Sequence, residues 1–208
     1  MGRMQNYEYK TKPFKHQIQA LQRGAEAYNF AYFMEMGTGK TKVAIDNVCY
    51  LFEQKKINTV VVIAPNSVYR NWIDEIHLHA PLQCHINTHK MDKKFVQDKT
   101  KLNFYLINVE AFSHQSGANI LKNIMNQYGK TMCTIVDEST TIKNRQAKRA
   151  KNVIQLCRQS AYKRILTGSP ITKSPLDLYS QCDFLKQGLL GFNNYFVFRA
   201  RYSVMKQI

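Results

Sequence analysis

The sequence predicts an α/β domain built on a mostly parallel central sheet with helices on both faces. Short apolar runs alternate with longer amphipathic ones along most of the 208 residues. Strands separated by crossover helices pair in parallel, because each helix returns the chain to the starting edge. "TVVVIAP" (Thr59–Pro65) is a continuous apolar, largely β-branched run, as a strand covered on both faces requires. Polar clusters come after the strands, and ligands of such sheets collect at the carboxyl ends of strands.

Along the chain, "FAYFM" (Phe30–Met34) reads as a strand and "KTKVAIDNVCYLF" (Lys40–Phe52) as the helix after it. Thr59–Pro65 is the next strand, and "VYRNWIDEIH" from Val68 is helical in period. "NFYLINV" (Asn103–Val109) is a strand, and "ANILKNIMNQY" from Ala118 is a helix closed by Gly129. "MCTIVDE" from Met132 is a strand that ends in two acids. "RQAKRAKNVIQLCRQ" (Arg145–Gln159) reads as a basic amphipathic helix. "YKRILTGSP" is a strand running into a Gly/Ser/Pro turn, and "PLDLYSQCDFL" is helical with Pro175 at its start. No internal repeat or low-complexity linker interrupts this order.

The first strand and its helix are joined by "GTGKT", Gly37–Thr41. That context suits a phosphate-binding loop. Backbone amides across Gly37, Thr38 and Gly39 point inward, and the positive end of the following helix adds to their field. The glycines permit positive φ and close approach of backbone to phosphate. Lys40 can reach the β- and γ-phosphates, and the Thr41 hydroxyl can ligate Mg²⁺. The strict pattern asks for glycine where this chain has Met34. A simple helix-capping turn is the competing reading. The partner for the metal is found in "TIVDEST", where Asp137 can hold Mg²⁺ and Glu138 can polarise an attacking water.

Thirty Lys and Arg against fourteen Asp and Glu leave a net charge of +16, which suits a polyanionic partner, nucleic acid first. The five cysteines are odd in number and widely spaced without a C-x-x-C pair. That argues against a disulfide framework or zinc site and for reduced, buried thiols. "HLHAPLQCHINTH" (His77–His89) gathers histidines, but no acid or cysteine at ligand spacing completes a metal site. The N-terminus lacks the apolar core of a signal peptide, and no apolar run reaches the ~20 residues that span a bilayer.

Several motifs together resemble the Swi/Snf-type ATPases of helicase superfamily two. "VDESTTIKN" (Val136–Asn144) resembles their D-E-A-H-x-I-K-N box, with Ser139 and Thr140 in place of Ala and His. "MEMGTGKT" is similar to D-E-M-G-L-G-K-T, which explains Met34. "VVIAPNSVYRNWIDEI" resembles V-P-x-S-L-x-x-N-W-x-x-E. "LTGSPITKSPLDLYSQCDFL" resembles L-T-G-T-P-I-x-N-x-x-x-E-L-W-S-L-L-x-F-L, with Ser169, Lys173, Asp177 and Tyr179 departing from it. "LINVEAF" fits T-T-Y-E-x-L loosely, and "KPFKHQIQAL" resembles the family's adenine-reading segment. The matches run in order from about Pro13 to Leu185.

The resemblance implies a RecA-like P-loop NTPase lobe over residues 1–185, with ATP and Mg²⁺ as ligands. Gln17 and nearby aromatics would hold adenine. Gly37, Thr38, Gly39, Lys40 and Thr41 would hold the phosphates and metal, Asp137 would anchor the metal and Glu138 would activate water. Thr167, Gly168 and Ser169 would couple nucleotide state to the grip on DNA, where a capping turn is the competing reading. DNA contacts would come from Ser67, Arg70, Asn71, Lys143, Arg145, Lys148 and Arg149, to duplex and without sequence preference. The function implied is ATP-driven translocation on, or remodelling of, duplex DNA by a monomeric lobe. Residues 186–208 read as the start of a connector to a second RecA-like lobe, which would supply an arginine finger. The alternatives are a strand-separating phage or restriction-type helicase lobe acting on single-stranded DNA or RNA, and a non-catalytic nucleic-acid-binding module. No membrane is expected as a partner. A phage or bacterial source implies the cytoplasm, and a eukaryotic one the nucleus.

Overall fold

The computed structural model describes residues 7–88 and 95–203. The initial Met-Gly, His89 and the last five residues lie outside that range. Six strands form one sheet in the order β1-β6-β5-β2-β4-β3, and every neighbouring pair is parallel. They are β1 Asn29–Phe33, β2 Thr59–Ala64, β3 Cys84–Thr88, β4 Leu102–Asn108, β5 Met132–Asp137 and β6 Tyr162–Thr167. The helices are α1 Lys15–Gly24, α2 Lys40–Glu53, α3 Asn71–His79, α4 Gln115–Tyr128, α5 Lys148–Leu156, α6 Asp177–Leu185 and α7 Tyr195–Tyr202.

The two-residue period of each strand divides the core. Val60, Val62 and Ala64 of β2 face one layer with Leu21 of α1, Val43 and Val48 of α2, and Trp72 and Ile76 of α3. Val61 and Ile63 face the other with Leu121 and Ile124 of α4, Ala150 and Val153 of α5, and Phe184 of α6. Both faces of the sheet are therefore covered, as the unbroken apolar run of β2 requires. All five cysteines are free thiols, and Cys49, Cys133, Cys157 and Cys182 are buried.

Three elements differ from the sequence reading. The edge strand β3 lies inside the histidine-rich stretch. It is short and carries polar residues at an edge, so neither apolar alternation nor a continuous apolar run marks it. His85 sits in this strand, while His79 Nδ1 meets Thr11 Oγ1 at 2.6 Å and its Nε2 stands 3.2 Å from Glu75. The basic helix is shorter than its charge pattern. Asn144 accepts the Gln146 N–H in a local turn, so Arg145 precedes α5 and Arg158 comes after it. The helix expected to start at Pro175 begins at Asp177, because Pro175 first closes a turn by accepting from the Leu178 N–H.

A fully buried cation fastens β6 to the α1–β1 corner. Arg164 has no solvent exposure. Its Nε donates to Asn47 Oδ1 at 2.8 Å, Nη1 to the Tyr28 and Lys163 carbonyls, and Nη2 to the Gly24 carbonyl at 3.2 Å. The Gly24 carbonyl belongs to the negative end of α1, so the helix terminus supplies part of the countercharge.

Candidate active site

Register brings three chain exits together. Phe33, the last residue of β1, pairs with Thr167, the last of β6, and Leu166 pairs with Asp137 at the end of β5. The glycine loop, the Thr167–Ser169 segment and the paired acids therefore leave three adjacent strands at one edge. The loop and β6 touch directly. Met34 N–H donates to the Thr167 carbonyl at 3.3 Å, and a Cβ on Gly168 would come within 3.2 Å of the Met36 nitrogen.

The loop is folded on one carbonyl. Glu35 O accepts from Thr38 Oγ1 at 2.7 Å and from Lys40 Nζ at 3.1 Å. Gly37 and Gly39 have φ of 76° and 77°, and Gly39 is the N-cap of α2. Thr41 lies in the first turn of α2, half-buried. Gln17 closes the loop from the side. Its Nε2 donates to the Thr38 carbonyl at 3.0 Å, and its Oε1 accepts the Phe14 N–H at 2.9 Å. The exposed Phe14 ring stacks on His16, whose Nε2 also meets the Thr38 carbonyl. A Cβ on Gly39 would stand 2.3 Å from Gln17 Nε2. Replacing Gly39 by Ala is thus expected to cost about 1–3 kcal/mol of stability, from positive φ and from displaced Gln17. Thermal unfolding and nucleotide titration of Gly39→Ala should show the losses together.

The acids sit in different surroundings. Asp137 is 4% exposed. Its Oδ2 accepts from Trp72 Nε1 at 2.9 Å, and its Oδ1 from the Glu138 N–H at 2.9 Å. Burial raises its pKa above the usual carboxylate value, while those bonds and the Lys40 charge oppose the rise. Glu138 is half-buried at φ 45°, in the left-handed region. Burial raises its pKa, the Asp137 charge raises it further, and Lys40 and the Thr167 hydroxyl pull it back. Burial thus works against the charge of both carboxylates, and the Lys40 ammonium works in its favour. Positive φ at a non-glycine residue stores strain that the surrounding contacts hold in place. Trp72 lies in the core, and its indole tethers Asp137, a link that sequence reasoning missed. The available signal was that a buried Trp needs a partner for its N–H.

The remaining candidates line the continuation of the same edge. Ser67, Arg70 and Asn71 are exposed after β2, the neighbour of β5. Lys143, Arg145 and Arg149 each have a partner within the chain. Lys143 Nζ donates to Thr172 Oγ1 and lies 3.6 Å from Asp177 Oδ2. The Arg145 guanidinium lies over the Tyr195 ring at 4.5 Å, and Arg149 Nε donates to the Thr141 carbonyl at 3.0 Å. Lys148 is exposed at the start of α5. Ser169 N–H donates to Thr167 Oγ1 at 3.2 Å, closing a small turn after β6.

Asp177 braces the segment beyond that turn. Its Oδ2 accepts from the Thr172 hydroxyl and from the Thr172 and Lys173 N–H groups. Partial burial raises its pKa, but these bonds outweigh burial and hold it at about 2. The unfolded carboxyl titrates near ~3.9, so the stabilisation is present above that pH and lost as pH falls toward the folded value. After solvent screening it should amount to on the order of 1 kcal/mol. Asp177→Ala should lower stability at pH 7 by that amount and leave it nearly unchanged near pH 2, measured by urea unfolding at both.

The all-parallel sheet, with the glycine loop and the acids leaving the two strands that flank β6 at one edge, defines a RecA-like P-loop lobe. Residues 16–206 match the family described as the SNF2-related domain. The chain belongs to that family. It is 31% identical over 180 residues to the chromatin-remodeling ATPase INO80 of Saccharomyces cerevisiae, an alignment covering 78% of this chain and 12% of the yeast protein. It is 27% identical to the human helicase-like transcription factor, over 77% of this chain and 16% of that protein. A solved structure titled Sulfolobus solfataricus SWI2/SNF2 ATPase core in complex with dsDNA superposes with a TM-score of 0.76 at 26% identity. That match covers 93% of this chain and 39% of the archaeal one. Among the described residues, no helix is long and apolar enough to cross a membrane.

Proposed function

We propose that this chain binds Mg²⁺-ATP and serves as the first lobe of an ATPase that translocates on or remodels duplex DNA. The observation that carries the reading is the register that puts the glycine loop and Asp137–Glu138 at the ends of strands flanking β6. The donor set fits the ligands. The Thr41 hydroxyl and the Asp137 carboxylate are hard oxygens of the kind Mg²⁺ takes, and each Asp137 oxygen accepts from one donor and keeps further lone pairs. When bound, the metal would neutralise charge on the transferring phosphoryl group.

The chain's own residues do the rest. The amides of Gly37 to Gly39 and the start of α2 cradle phosphate oxygens. Lys40 exchanges the Glu35 carbonyl for a phosphate oxygen. Trp72 fixes the Asp137 carboxylate, and Glu138 orients the attacking water and takes its proton. Gln17 retains one amide hydrogen and one carbonyl lone pair for an adenine edge after holding Thr38 and Phe14. Thr167, Gly168 and Ser169, packed against the loop, relay nucleotide state. Ser67, Arg70, Asn71, Lys143, Arg145, Lys148 and Arg149 meet backbone phosphates of the duplex without reading bases. A second RecA-like lobe would complete the cleft and supply the arginine finger, worth about 10³-fold or more in rate in comparable enzymes. The similarity to the archaeal core solved with duplex DNA supports this partner. A turnover assay with duplex or single-stranded DNA tests the reading. The 208 residues alone should bind nucleotide and turn it over slowly; stronger stimulation by single strands than by duplex would contradict the duplex assignment.

A further inference from the structure

Glu138 and the Thr167–Ser169 segment leave neighbouring strands, and one buried side chain bridges the residues just beyond them. Ser139, next to Glu138, is fully buried, and its Oγ donates to Gln181 Oε1 at 2.6 Å. Gln181, on α6, is also fully buried. Its Nε2 donates to the Pro170 carbonyl at 2.7 Å, one residue past Ser169, and to the Asp177 carbonyl at 2.8 Å. All of Gln181's amide hydrogens are therefore committed, one end of the side chain to the strand carrying the acids and the other to the segment after β6.

The pattern this chain otherwise resembles has Ala in place of Ser139 and Leu in place of Gln181. Here both positions are polar, and the fold brings those two into contact. A buried polar pair is stable only when both members are satisfied, and these are. Packed apolar groups tolerate sliding, whereas a two-ended hydrogen-bonded bridge has a defined length and direction. The half-buried link between Lys143 and Asp177 ties the same two segments closer to solvent, where salt screens it more. The buried bridge is not screened in this way.

We infer that Gln181 is a positioning residue, which passes a displacement of Ser139 beside Glu138 directly to the Pro170 carbonyl and so to the turn at Thr167–Ser169. The inference rests on the proposed nucleotide role of Glu138. It separates Gln181 from a merely structural residue, because the first half of the bridge can be cut alone. Ser139→Ala removes the first half and keeps the second. Gln181→Met removes both at similar volume.

Hydrogen–deuterium exchange of residues 168–176 in the 208-residue chain, with and without Mg²⁺ and a non-hydrolysable ATP analogue, reads the bridge. In the unmodified chain the analogue should slow exchange there at least tenfold. In Ser139→Ala, Gln181→Met and the double variant that slowing should fall below twofold, to the same degree in all three, while analogue affinity stays within twofold. Equality in the double variant marks one shared path, since independent packing losses would add. Undiminished slowing in Ser139→Ala overturns the inference even if Gln181→Met does not fold. An unmodified chain that fails to bind the analogue overturns the functional reading, and the inference with it.

Discussion

Lys40→Ala should reduce ATP turnover by about 10²–10³-fold, the scale on which one preorganised donor to developing charge acts. The folded state should hardly notice. Lys40 is half-buried, and its ammonium donates to the Glu35 carbonyl of its own loop at the surface. A net contribution well under ~1 kcal/mol is expected from such a bond. Steady-state turnover and thermal unfolding of the variant should therefore separate cleanly. The loss should appear in kcat as well as in nucleotide affinity, because charge on the phosphates grows in the transition state. Turnover that survives the substitution would remove the loop from the chemistry, whereas biological activity that survives a loss of turnover would favour a module that only holds nucleic acid.

Arg164→Met should act in the opposite way, on the fold first. The substitution roughly keeps volume but leaves Asn47 Oδ1 without its donor and takes one of two donors from each of the buried Gly24 and Tyr28 carbonyls. Losing a charged donor that serves several buried acceptors costs about 3 kcal/mol. For a chain of this length that lowers the melting temperature by roughly 10 °C. Because Arg164 joins β6 to the Gly24 corner leading into β1, nucleotide binding should fail at a lower temperature than in the unmodified chain. A melting temperature within a degree or two of the unmodified chain would show that water satisfies those carbonyls instead.

The parts of the fold legible in the sequence are those where one physical demand leaves one pattern. A strand buried on both faces must be apolar throughout, so β2 and β5 are readable to within a residue or two. A backbone at positive φ favours glycine, so the turn at Gly37–Gly39 declares itself, and Asp137 and Glu138 mark the end of β5. Other features obey tertiary demands that no local pattern records. β3 is an edge strand that takes its neighbours from β4, and its polar residues are tolerated because one side is open. Arg164 looks like a surface residue by composition; only the convergence of three carbonyl oxygens and Asn47 makes its burial possible. Lys143, Arg145 and Arg149 read as a basic face, yet each has a partner inside the chain that charge counting cannot reveal. The Ser139–Gln181 pair spans forty-two positions in sequence and has no signature in either segment.

The strand order carries a consequence for synthesis on the ribosome. β1, which ends at the phosphate loop, has β6 as its neighbour in the sheet, so Asn29 waits for Lys163. Strands β2 to β5 form a contiguous block without either of them. Pairing over such a separation is slow, and the early strand stays unpaired meanwhile. A nascent chain halted before Tyr162 would own four mated strands and both acids yet lack a cradle for triphosphate. On the proposed function, competence to take up nucleotide would arrive late, once β6 has been made and has paired with β1.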